Sequence, residues 1–110
     1  MPHVVHPVAA LPPLVDEAYE LMHSPTRIAI VVWLARHPGS LVSDIVAGVG
    51  GQRVNIRRNL DALEAVGVVV PDRAAGDRER MRVRYSADSV RAEELAARLA
   101  AYIMDAFDDQ

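Results

Sequence analysis

At 110 residues, 51% apolar and 25% charged, the chain has room for one globular domain with a modest core, and its composition excludes a low-complexity or largely unstructured polymer. The absence of cysteine excludes disulfides, thiolate metal sites and thiol redox sensing, and the absence of lysine excludes control by lysine acetylation, since all 12 basic residues are arginine. A formal charge of −3 excludes a uniformly basic surface.

Residues 1–15 contain Pro2, Pro7, Pro12 and Pro13, which deny the segment helix hydrogen bonds and regular strand ladders, so an extended arm is expected. His3 and His6 have no further ligands close by in sequence, and no metal site is expected there. Residues 16–23 read as a short helix with Val15, Ala18, Tyr19 and Met22 on one face. Ser24 can cap a second helix and Pro25 can take its first position, where no donor is needed. That helix should run to about His37 and stop at Pro38-Gly39. Its apolar run between Arg27 and Arg36 is far too short for a bilayer and nothing marks an exported chain, so a cytoplasmic location without a membrane partner is expected. Leu41-Val42 is short enough for one brief strand.

Residues 43–49 read as a helix, Gly50-Gly51 as a tight turn, and residues 52–66 as a further helix ended by Gly67. In the latter, Ile56, Leu60, Leu63 and Val66 recur at three- and four-residue steps, which turns Arg53, Asn55, Arg57 and Arg58 outward. Val68, Val69 and Val70 then read as a strand and residues 75–78 as a loop. Residues 80–85 read as the return strand, which would turn Met81, Val83 and Tyr85 inward and Arg80, Arg82 and Arg84 outward. Pro71 suits an edge. Asp88 or Ser89 can cap a last helix reaching about Phe107, along which Val90, Leu95, Leu99, Tyr102, Ile103 and Phe107 recur at helical spacing. So much apolar surface on a terminal helix needs a cover.

The order of these elements predicts a mainly α fold with a small β-hairpin, a winged helix-turn-helix. Three segments follow from it: an arm (1–15), the winged domain (16–87) and a terminal helix (88–110). Charge is distributed to match. Residues 52–84 hold eight arginines against five acids, net +3, and the remainder four arginines against ten acids, net −6. Such a chain presents double-stranded DNA with one attractive face. On the reader helix Arg53 or Arg57 would fork onto guanine, Asn55 onto adenine and Val54 would meet a thymine methyl, while Gln52 and Arg58 grip phosphate. In the hairpin, Arg78 and Arg80 would enter or flank the minor groove, with Arg82 nearer the backbone.

Two stretches carry a family resemblance, Met22-His23-Ser24-Pro25-Thr26-Arg27-Ile28 and Leu60-Asp61-Ala62-Leu63-Glu64-Ala65-Val66-Gly67-Val68-Val69. Through them the chain resembles the ArsR-like winged-helix transcriptional regulators, with MarR-like regulators as neighbours. The resemblance implies a homodimer whose terminal helices pair, with Tyr19, Met22, Leu95, Leu99, Tyr102, Ile103 and Phe107 at the interface. It further implies repression by occupying a palindromic operator whose half-sites lie about one helical turn apart. The departures are specific. Where metal-sensing members carry Cys-Val-Cys, this chain has Leu41-Val42-Ser43, and its terminal helix carries Glu93, Glu94, Asp105, Asp108 and Asp109 without a histidine, so no metal or other cofactor is expected. Where many members carry small hydroxyl residues on the reader, this chain has Val54, Asn55 and Arg57, which implies a different operator. No residue names an effector. Ser24 and Ser43 read as caps without an activating base, and Gly48-Val49-Gly50-Gly51 lacks the lysine of a phosphate loop, so an enzyme is not expected. The rival reading is a winged helix that docks an acidic protein partner and has no preference among DNA sequences.

Overall fold

The computed structural model describes residues 11–73 and 82–108; most of the expected arm with His3 and His6, the wing loop with Arg78 and Arg80, Met81 and Asp109 lie outside them. Among the described residues the order is α1 (Pro13–Met22), α2 (Pro25–Arg36), α3 (Val42–Val49), α4 (Arg53–Ala65), β1 (Val69–Pro71), β2 (Tyr85–Ala87) and α5 (Ser89–Asp108). The fold is mainly helical with one antiparallel hairpin, as the sequence predicts.

Helix α1 starts earlier than expected. Pro13 occupies the first helical position and the Pro12 carbonyl accepts from the amides of Val15 and Asp16 at 2.9 and 2.8 Å, so the two prolines start the helix instead of extending the arm. For α2 the expected cap is present: Ser24 Oγ accepts from the Arg27 amide at 3.3 Å. Ser43 is no cap. It lies in the first turn of α3, whose N-cap is Leu41, and the Asp44 carboxylate accepts the Leu41 amide at 2.9 Å.

The hairpin sits further along the chain than predicted, with Val69 paired to Ala87, Val70 to Ser86 and Pro71 to Tyr85. The reason is visible at Tyr85. Its amide donates to the Ser40 carbonyl at 2.8 Å and its carbonyl accepts from Ser40 and Gly39, so its backbone bonds face away from Pro71 and the missing proline donor leaves nothing unpaired. The strand expected at Leu41-Val42 is accordingly a single bridge at Ser40, with Val42 already helical. Every helix contributes to one core: Ala18 and Leu21, Ile30 and Leu34, Val42 and Ile45, Ile56, Leu60 and Leu63, and Leu95, closed by Val68, Val69 and Tyr85 of the hairpin region. Each fully buried leucine or isoleucine contributes about 1.5–3 kcal/mol.

Helix α5 is fixed to the body along its first half only. Asp88 Oδ1 accepts from the amides of Val90 and Arg91 at 3.0 and 3.1 Å, which settles the cap in favour of Asp88. Arg91 then bridges three elements: its Nε donates to the Val66 carbonyl at 2.7 Å, and its guanidinium pairs with Glu94 and with Glu17 of α1. The hydrogen bond to Glu94 does most to raise the Arg91 pKa above its ordinary value; desolvation opposes it and the charge of Glu17 adds to it. Arg98 reaches Glu17 at 3.4 Å and the Leu14 carbonyl at 3.2 Å. From residue 101 to 108 every side chain is exposed.

Candidate nucleic-acid interface

The turn between α3 and α4 is built by Gly50 and Gly51, at φ of +91° and +89°, a region that side chains with a Cβ rarely enter. Gln52 follows in extended conformation as the N-cap of α4, and its carbonyl accepts from the Ile56 amide at 3.0 Å. Its side chain makes no capping bond and stays at the surface with Arg53, Val54, Asn55, Arg57 and Arg58, all exposed. Ile56, Asn59, Leu60 and Leu63 are buried on the opposite face.

The arginines divide by what they do for the fold. Arg27 donates from Nε to Asn59 Oδ1 at 3.0 Å and from Nη1 to the Glu20 carbonyl at 3.1 Å. Arg84, expected to face water or phosphate, donates to the Gly39 carbonyl at 3.0 Å and so ties the wing to the end of α2. Arg91 and Arg98 hold α1 against α5. By contrast Arg53, Arg57, Arg58 and Arg82 have no carboxylate within ion-pair distance among the described residues. Among the described residues Arg36 at the end of α2 is likewise without one, and the other four stand together on the reader helix and the root of the wing, as a polyanion surface requires.

Three of those four converge. Arg53 and Arg57 of α4 and Arg82 at the root of the wing line one groove of about 380 Å³, floored by Leu41, Val42 and Ser43 at the start of α3 and by Val83. Arg58 and Val54 do not line it. Val83 is half-buried between exposed Arg82 and Arg84, so the expected alternation holds as far as it is described.

Asn59, which periodicity alone assigns to the apolar face, is a polar residue only 9% exposed. It is fully used: Oδ1 takes the Arg27 bond, and Nδ2 donates to the Asn55 carbonyl at 2.9 Å. A polar bridge therefore runs from Glu20 of α1 through Arg27 of α2 to the first turns of the reader. The sequence carried a signal for it, an asparagine among Ile56, Leu60 and Leu63 at core spacing.

The residues expected at a dimer interface separate into two groups. Leu95 is fully buried in the chain's own core, where no second copy can reach it, and Leu99 packs partly against that core. Met22 is likewise half-buried against it. Tyr19, Tyr102, Ile103 and Phe107 are exposed, and with Leu11, Asp16 and Leu99 the first three line an apolar groove of about 300 Å³ between α1 and α5.

No protein-family model and no curated protein sequence matches the chain. Solved structures do. An ArsR-like transcriptional regulator from Rhodococcus sp. RHA1 superposes with a TM-score of 0.66 at 21% identity, over 88% of this chain and 84% of its own. The homodimeric winged helix-turn-helix DNA-binding domain of Mb0332 from Mycobacterium bovis, a possible ArsR-family regulator, gives 0.61 at 22% identity over 96% and 90%. The multiple antibiotic-resistance repressor MarR from Listeria monocytogenes gives 0.56 at 19% identity over 88% and 67%. At such identities the likeness is one of architecture, and this chain has the winged helix-turn-helix fold that the ArsR-like and MarR regulators share.

Proposed function

We propose that the chain is a sequence-specific DNA-binding transcriptional regulator that acts as a homodimer, repressing by occupying a palindromic operator. The observation that carries this reading is the set of four arginines, Arg53, Arg57, Arg58 and Arg82, left without carboxylate partners on the reader helix and wing while Arg27, Arg84, Arg91 and Arg98 are consumed by the fold. Counterion release at phosphates rewards such a surface, and the acidic remainder turns DNA away from the other faces. The homodimeric state of the Mb0332 domain and the exposed apolar groove between α1 and α5 support a paired assembly. Among the described residues no helix is long and apolar enough to cross a membrane.

The test is capture of fragmented genomic DNA by the purified protein at near-physiological salt, with an Arg57→Ala/Arg58→Ala variant beside it. A few recurrent palindromic sites, lost in the variant, are the expected result. An unpatterned mixture that the variant retains, or no DNA at all, would replace this reading with that of a module docking an acidic protein.

A further inference from the structure

The sequence gives Arg53 or Arg57 the guanine contact and Arg58 the phosphate. The geometry points to the reverse division of labour: Arg53, Arg57 and Arg82 together seat a backbone phosphate, and Arg58 with Val54 reads base edges. This inference rests on the DNA-binding reading above and assigns roles within it.

The argument starts from the azimuth of α4. At 3.6 residues per turn, the buried residues Ile56, Asn59, Leu60 and Leu63 fix the inward direction, and Val54, Arg58 and Asp61 lie within about 30° of the outward one. Arg57 lies about 70° from it and Arg53 about 110°, both rotated toward α3 and the wing. A helix laid into a major groove presents its outermost stripe to the base edges and its flanks to the phosphate ridges on either side. Val54, 68% exposed at that apex, matches a thymine methyl, and Arg58, one turn on, has the planar fork that suits guanine O6 and N7.

The flank is built differently. Arg53 and Arg57 stand one turn apart and share a groove with Arg82, which comes from the other side of the hairpin, so three cations surround one concavity. Its floor is the start of α3 with the Ser43 hydroxyl at hand. A phosphodiester, with one negative charge shared by two non-bridging oxygens, suits a seat ringed by three guanidinium groups. Asp61 lies on the apex stripe two turns beyond Val54, where its carboxylate adds no attraction for phosphate.

The roles differ in what they predict. Duplexes selected from a random-sequence library by the full-length protein give the reference motif, and the salt dependence of binding to the selected duplex gives the number of phosphates neutralised. Arg58→Lys retains the charge but not the fork, and is expected to lose preference for one base position, by about tenfold, with an unchanged salt slope. Arg53→Ala, Arg57→Ala and Arg82→Ala are each expected to keep the motif and to weaken binding to all duplexes alike, and the triple variant to lower the salt slope by about one in total, because the three share one phosphate. Melting curves confirm that each exposed-residue variant is folded. A motif altered by Arg57→Ala or Arg53→Ala but untouched by Arg58→Lys would overturn the assignment while leaving the regulator reading in place. A wild-type protein that enriches no motif at all would overturn both.

Discussion

At the scale of single residues, Gly48 shows how packing overrules propensity. It lies inside α3, where alanine is the better helix former by about 1 kcal/mol. A Cβ at this position would stand 2.3 to 2.5 Å from three ring carbons of Trp33, so α2 and α3 approach each other only because the side chain is missing. The indole is held on its other contacts: His37 stacks on it with ring centroids 3.7 Å apart, and Nε1 donates to Ser40 Oγ at 3.2 Å. Gly48→Ala should therefore destabilise the protein by about 1–3 kcal/mol in chemical denaturation, the usual cost of overpacking. A stability gain would show that the ring turns aside freely. The sequence held no sign of this, because a glycine's reason lies in a neighbour fifteen positions away; it did hold the signs for Ser24 as a cap and for the exposed arginines, which depend on local spacing. Asn59 falls between the two. Its burial followed from periodicity, but its partner Arg27 belongs to another helix and had to be seen.

At the scale of elements, the helices and the presence of a hairpin were legible and the hairpin's register was not. The four helices before the hairpin are specified by apolar period, prolines and glycines, all read within one turn of chain. The hairpin register depends on a third segment. Ser40 claims the backbone of Tyr85, Asp72 accepts the Arg84 amide at 2.9 Å, and the Asp88 amide bonds the Val68 carbonyl at 2.8 Å, so the pairing is fixed from outside the two strands. Helix α5 also depends on its start. Asp88 receives two amides of the first turn and stands between the hairpin and the helix, while the Arg91 contacts to Glu17 and Val66 follow within one turn. Asp88→Ala should lower unfolding stability by about 1 kcal/mol, and Asp88→Asn, which keeps the accepting oxygen, should recover most of it. Equal losses in the two variants would mean that the charge, not the cap, supplies the stability.

At the scale of the whole molecule, the charges and the apolar side chains assign two surfaces different tasks. The arginine side carries net positive charge in a chain of net −3, and the far half of α5 carries Tyr102, Ile103, Met104 and Phe107, each between 44% and 62% exposed. Four large apolar side chains on one exposed helix segment form a patch that soluble proteins usually cover. If a second copy covers it, two reader helices become one binding unit. Linking two half-site contacts then raises affinity through effective concentration, with the salt slopes of the halves adding. Leu99 and Leu95 are poor positions at which to probe this, since both pack in the chain's own core. Ile103 and Phe107, 51% and 62% exposed, can be charged without disturbing the fold. The variant Ile103→Glu/Phe107→Glu should keep the wild-type helix content, sediment as a monomer, bind a palindromic duplex at least about 100-fold more weakly and show roughly half the salt slope. A variant that remains dimeric places the interface elsewhere on the surface. A variant that becomes monomeric yet binds the duplex undiminished separates dimerisation from DNA recognition, and leaves the apolar end of α5 to a purpose other than pairing the readers.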